Sequence, residues 1–146
     1  MAELLISSIT VEGGGVLEIY ATETQIGETS SVTFRITTGE DWNPDYNLDL
    51  NALFLDYQDG GTSKLIADGQ NSLNLNGVTY EGAKIQWDLA LSSGSNAGAQ
   101  GGVTVMEFSV TVNNLTLDDI DGALVGIRAT STGVDMQGSL KLVGEI

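Results

Sequence analysis

The sequence predicts an all-β protein, a two-layer antiparallel β-sandwich of jelly-roll or immunoglobulin-like type built from about ten short strands. Three observations predict it. Apolar and polar residues alternate with a period of two through most segments, and β-branched residues are frequent. No stretch of a dozen residues carries a helical period. Glycines at Gly13 to Gly15, Gly60-Gly61 and Gly101-Gly102 separate the runs, where tight turns need a positive φ. The 146 residues make one domain, and that many short strands need two layers to bury their apolar faces.

The strands are expected in the following order. Leu4 to Val11 leads into the glycine turn, and Val16 to Thr22 leaves it. Ser31 to Thr37 has one dry face, because Val32, Phe34 and Ile36 alternate with Thr33, Arg35 and Thr37. Leu50 to Tyr57 contains the run Leu53-Phe54-Leu55, which suits a central strand covered on both sides. Lys64 to Ile66, Ser72 to Tyr80 and Lys84 to Leu91 follow. The small and polar residues from Ser92 to Gly102 then read as a loop within the domain. Within Val103 to Val112 the apolar positions change phase between Val105 and Phe108, which predicts a β-bulge. Leu124 to Thr130 and Gln137 to Val143 close the fold. Pro44 is the only proline, so proline does not blunt the edge strands, and they stay open to pairing with another chain.

Charge and composition restrict the function. Against 20 Asp and Glu there are 5 Lys and Arg, a formal net charge of −15, which repels nucleic-acid phosphates and anionic lipid headgroups. Neither nucleic acid nor membrane insertion is expected. Histidine and cysteine are absent, which removes Ser-His-Asp and Cys-His catalysis, thiolate chemistry and the usual zinc and copper ligands. The chain is therefore not expected to be an enzyme. The remaining catalytic option is a carboxylate pair, Asp49 or Asp56 with Glu107 or Asp88, flanking a sugar. Many oxygen-bearing side chains with few cations to pair them suit a hard cation, and calcium is the expected one.

The densest group of such side chains lies between Asp41 and Asn51. Asp41, Asn43, Asp45, Asn47, Asp49 and Asn51 occupy every odd position, and in an extended chain all would project to one side, where a cation would relieve their repulsion. The segment is not an EF-hand, since Tyr46 stands at the glycine position and Ala52 at the bidentate glutamate. The alternative is a polar loop of Asx turns around Pro44. A second cluster, Asp118, Asp119 and Asp121 before Gly122, is either part of a cation site or a helical cap or Asp-Gly turn. Asp56, followed by Asp59 and Gly60-Gly61, leaves the central strand and is expected at the same end as the Asp41 to Asn51 ribbon. Trp42 and Tyr46 are either a sugar-stacking platform or, like Tyr57, Tyr80 and Trp87, sandwich core. Arg35, Lys64, Lys84, Arg128 and Lys141 are each expected to pair with a carboxylate, and Arg128 to be partly buried.

Four segments share a pattern: Leu48 to Tyr57 with its "GLFFD"-like central strand, the acidic turn Leu115 to Gly122, the "VRxTSxG"-like Gly126 to Gly133, and the closing Gly138-Ser139-Leu140-Lys141-Leu142. Together they resemble a β-sandwich module of secreted RTX-type, hemolysin-type calcium-binding proteins of cyanobacteria and marine proteobacteria. The likeness spans most of residues 46 to 143. The chain departs from that family in lacking the Gly-Gly-x-Gly-x-Asp repeat of the calcium-binding roll. The resemblance implies calcium at Asp49, Asp56 or Asp118 and export by type I secretion. Met1 to Ile6, with no basic region, fits an export route without a Sec signal. The resulting expectation is an extracellular structural or adhesive protein of a bacterial surface or matrix, binding calcium and self-assembling into filaments or layers. Its partners would be other copies, cell-surface components or glycans. The alternative is a calcium-dependent carbohydrate-binding module that stacks Trp42 or Tyr46 on a sugar.

Overall fold

The computed structural model describes residues 2–56, 64–65, 79–80, 83–84, 87, 89–92 and 105–146. Its strands are β1 (Leu4–Val11), β2 (Gly15–Ile26), β3 (Thr29–Thr38), β4 (Asn47–Asp56), β5 (Lys64–Leu65), β6 (Thr79–Tyr80), β7 (Ala83–Lys84), β8 (Leu89–Ser92), β9 (Phe108–Asn113), β10 (Leu124–Gly133) and β11 (Gly138–Glu145). A single helical turn, α1 (Leu117–Ile120), precedes β10. The expected strand residues Tyr57, Ile66, Ser72 to Val78 and Val103-Thr104, and the loop residues 93–102, lie outside the described residues. No helix among the described residues is long and apolar enough to cross a membrane.

Two sheets form the sandwich, one in the order β1-β2-β3-β9 and the other in the order β11-β10-β4-β8-β5, with β6 and β7 paired apart from them. All pairings are antiparallel except β5 with β8. The alternation in β3 places Val32, Phe34 and Ile36 fully in the core and leaves Thr33, Arg35 and Thr37 on the outer face. Leu17, Ile19 and Ala21 of β2 meet them from the same sheet, and Leu48, Leu50, Leu53, Leu55, Val125, Ile127 and Ala129 supply the other layer.

Two phase changes in the sequence have different structural causes. In β4 the inward residues pass from even to odd numbers because Arg128 pairs with Ala52 while Ala129 pairs with Leu50, leaving Asn51 as an extra residue. That is a bulge in β4, and it carries Asn51 and Ala52 away from the core. At Val105 to Phe108, where a bulge was expected, the chain changes sheets. Val105 accepts a hydrogen bond from Leu50 N–H at 2.7 Å, and from Phe108 onward the chain pairs with β3.

The margin strands β1 and β11 come together on one side of the sandwich. Ser7 Oγ donates to the carbonyl of Glu145 at 2.8 Å, and a Cβ on Gly144 would stand 2.9 Å from Ile9 Cγ1, so only glycine permits this approach. On the outer face of the first sheet, Arg35 holds both ends of the sheet. Its guanidinium takes Glu3 in a two-pronged pair at 2.8 and 2.9 Å, reaches Glu107 at 2.8 Å, and lies 4.4 Å from the centroid of the Tyr20 ring. The hydrogen bond from Arg35 holds the Glu3 carboxyl below its usual range.

This contact fixes a pH dependence. A carboxyl whose folded pKa is lowered stabilises the fold above its ordinary unfolded value and loses that contribution as pH falls through the folded one. Glu3→Gln is therefore expected to lower the urea midpoint slightly at neutral pH and in low salt, as an exposed pair allows. The gap to wild type should close in acid below the ordinary carboxylate range. A gap that stays constant with pH would disprove the assignment.

Candidate functional site

The residues expected to form one oxygen-lined ribbon are divided by the fold. Residues 40–46 are turns, and the strand begins only at Asn47. The physical reason is local. Asn43 Oδ1 accepts the N–H of Asp45 at 3.0 Å, an Asx turn across Pro44, and the Asn43 carbonyl accepts the N–H of Tyr46 at 3.0 Å. Asn43 also ties the loop to the β1–β2 turn, its N–H to the Gly14 carbonyl at 2.7 Å and its Nδ2 to the Gly13 carbonyl at 3.2 Å. Asp41 and Asp45 are left exposed, while Asn47 donates to the Gly133 carbonyl at 3.2 Å. Asp49 is 2% exposed, and its carboxylate accepts the N–H of Val105 at 3.0 Å.

Trp42 and Tyr46 form an edge-to-face pair with ring centroids 5.5 Å apart. Trp42 Nε1 donates to the Tyr46 carbonyl at 3.1 Å, and the indole covers Gly14 so closely that a Cβ there would stand 2.7 Å from Trp42 Cη2. Both rings are half-buried against the core cluster.

Asp56 lies at the other end of β4, paired with Leu124. Nine residue steps of about 3.3 Å put it roughly 30 Å from Asn47. It therefore does not share an end with the 41–47 loop, contrary to expectation. It shares one with Asp118, Asp119 and Asp121. Thr116 caps the turn there: its hydroxyl accepts the N–H of Asp119 at 3.2 Å, and the Asp119 carboxylate accepts the N–H of Thr116 at 3.0 Å, a reciprocal capping box. Beside it, Glu23 accepts the N–H of Leu117 at 2.7 Å. Asp118 and Asp121 are exposed and have no side-chain partner among the described residues. Among those residues no three carboxylates gather closely enough to hold a cation.

Two features of the structure were not anticipated. The first is a shallow groove of about 220 Å³ at the α1 end, lined by Leu4, Ile6, Leu117, Ile120 and Ile146, with Asp118 and Asp121 on its rim. Its lining comes from three distant segments, so no local pattern announced it. The signal that existed was Leu4, 49% exposed on a margin strand. The second is the polar row on the outer face of the β4 sheet. Asn51 is fully buried there, and among the described residues neither of its amide atoms has a partner, nor do Arg128 Nε and Thr130 Oγ1 nearby. Arg128 is partly buried as expected, but it donates from Nη1 to the carbonyls of Ala129 and Leu140 rather than to a carboxylate. Asp49 in this sheet and Glu107, tied to Arg35 on the outer face of the other, do not face one another, and Asp88 lies outside the described residues.

Comparison of the chain with protein-family models, with curated proteins and with solved structures gave no match.

Two substitutions test this geometry. Gly14→Ala should push the Trp42 ring aside, costing about 1–3 kcal/mol as overpacking does and shifting tryptophan emission to the red. Unchanged emission and stability would show that the indole does not rest on Gly14. Asn51→Leu, nearly equal in size, should raise stability by about 1–3 kcal/mol because it removes a desolvated amide that has no partner. A fall in the denaturation midpoint would mean that the amide is hydrogen-bonded in solution.

Proposed function

We propose that this chain is an extracellular structural or adhesive β-sandwich of a bacterial surface or matrix, acting by contact between copies or with cell-surface components, with calcium relieving the charge at those contacts. The observation that carries the reading is the placement of the free carboxylates. Asp41 and Asp45 stand exposed at one end of the sandwich, and Asp118 and Asp121 at the other, about the length of β4 away. Carboxylates so divided suit a divalent ion bridging two molecules better than one enclosed within a molecule. At −15, copies repel one another until such an ion intervenes. The RTX-type resemblance supports the extracellular setting and the choice of calcium.

The carbohydrate-binding alternative has less support. Trp42 uses its Nε1 and much of its surface on the loop and on Gly14, so the Trp42–Tyr46 pair is occupied in packing.

The test is thermal unfolding at fixed ionic strength in chelator, in magnesium and in calcium, with light scattering on the same samples. Calcium at about a hundred times its dissociation constant should add about 2.7 kcal/mol, a rise of several degrees for a domain of this size. Particles should grow in calcium only, and Asp41→Asn with Asp45→Asn should reduce them. If neither the midpoint nor the scattering responds to calcium, the reading fails.

A further inference from the structure

The groove at the α1 end has a chemistry of its own. Its floor is apolar, formed by Leu4 and Ile6 of β1, by Leu117 and Ile120 of α1, and by Ile146 beyond β11. At about 220 Å³ it exceeds the roughly 150 Å³ of an apolar cavity that accepts a benzene ring, so it has room for a branched aliphatic or aromatic side chain. Leu4 keeps half its surface in solvent, on a strand that pairs with β2 along one margin only.

The rim is selectively charged. Of the carboxylates around α1, two are used by the fold: Glu23 holds the N–H of Leu117, and Asp119 closes the capping box. The two left without a side-chain partner, Asp118 and Asp121, are the two that line the groove. Asp118 lies on α1 and Asp121 is its C-cap, and both border the groove. No cation among the described residues answers them. Arg35 is held by Glu3 and Glu107, Arg128 bonds to carbonyls within the β4 sheet, and Lys141 sits beside it in register on β11. A second copy, with the same −15 and the same committed arginines, does not complement this rim.

We infer that the groove is a docking site for an extended cationic segment of another protein, which inserts one apolar side chain between β1 and α1 and sets basic residues against Asp118 and Asp121. From Ser7 onward the other margin of β1 is closed by β11, so the segment enters at Leu4 and Ile6, where the groove opens. Electrostatic attraction sets the encounter, and the buried side chain sets the residence time. This partner class goes beyond the proposed function and does not need calcium.

The experiment is fluorescence anisotropy of a labelled peptide of alternating leucine and lysine against the full chain, in chelator and moderate salt. The same peptide with glutamate in place of lysine is the control. Saturable one-to-one binding of the lysine peptide alone is expected. Asp118→Asn with Asp121→Asn should weaken it about tenfold, and Leu4→Lys by at least as much. Asp41→Asn with Asp45→Asn removes the same charge at the far end and should leave the affinity within about twofold. Equal weakening by both double variants would reduce the binding to general attraction and overturn the assignment, as would no binding at all or no effect of Leu4→Lys. A concentration-dependent dimer seen without peptide and abolished by Leu4→Lys would assign the groove to a second copy instead. Because chelator is present throughout, failure here leaves the calcium-dependent scattering untouched, and the reverse also holds.

Discussion

Burial of β4 on both faces constrains most of what surrounds it. From Leu48 to Leu55 no residue of this strand reaches solvent, so each of its backbone N–H and C=O groups needs a partner inside the protein. β10 supplies those partners along one margin and β8 along the other. Beyond the register of β8 with Ala52, Val105 accepts from Leu50 N–H, while Asp49 holds the N–H of Val105 in return. The strand's position thus fixes where the chain re-enters the β4 sheet before crossing to β9. Phe54, facing away from the core, is covered by Trp87 at 5.9 Å between ring centroids. Asn51, the extra residue at the bulge, is carried into the same sealed layer, and its amide finds no partner among the described residues.

Charge is managed by hydrogen bonding more than by ion pairs. With four carboxylates for every cation, most cannot find an opposite charge. Several serve as acceptors for backbone N–H groups at places where the sheet ladder ends: Asp49 for Val105, Glu23 for Leu117, Asp119 for Thr116 and Asp135 for Gln137. Charge-assisted bonds of this kind are among the stronger ones available and do not depend on a scarce cation. Arg35 pairs directly with carboxylates, and it is placed where one guanidinium can serve two glutamates and an aromatic face. Among the described residues, Asp41, Asp45, Asp118 and Asp121 are not used in these ways, and they lie exposed at the two ends of the sandwich.

How far the sequence anticipated these features depended on the range of the interactions involved. The alternation in Val32 to Ile36 and the run Leu53 to Leu55 reflect burial acting on one strand at a time, and both were legible. The turn at Thr116 to Asp119 was legible only as one of three readings of the acidic cluster, although the capping box that Thr116 and Asp119 close spans just four residues. The break at Val105 to Phe108 was legible as an irregularity, but a bulge and a change of sheet leave the same local trace, and only the partners of Val105 and Phe108 distinguish them. The Asp41 to Asn51 ribbon was misread in conformation, because alternating polar residues define a face only if the chain is extended. Asn43, Pro44 and Asp45 favour the Asx turn that ends the extension. The groove was not legible at all, since Leu4, Ile120 and Ile146 meet only through the closure of β1 against β11.

The two ends are also unlike each other, and this bears on assembly. One end is closed by Trp42 packed on the β1–β2 turn, with Val134 and Met136 exposed on the β10–β11 turn beside it; the other carries the groove between β1 and α1. Contact between an end of one kind and an end of the other is heterologous, and unless its rotation closes a ring it continues into an open chain. Contact between two like ends forms a pair and stops. Under the proposed reading, calcium acting at both ends would therefore favour extended arrays, because it removes the same electrostatic penalty from unlike ends as from like ones. A cationic segment seated at Asp118 and Asp121 would occupy one end alone, and its effect on such an array would be to terminate it.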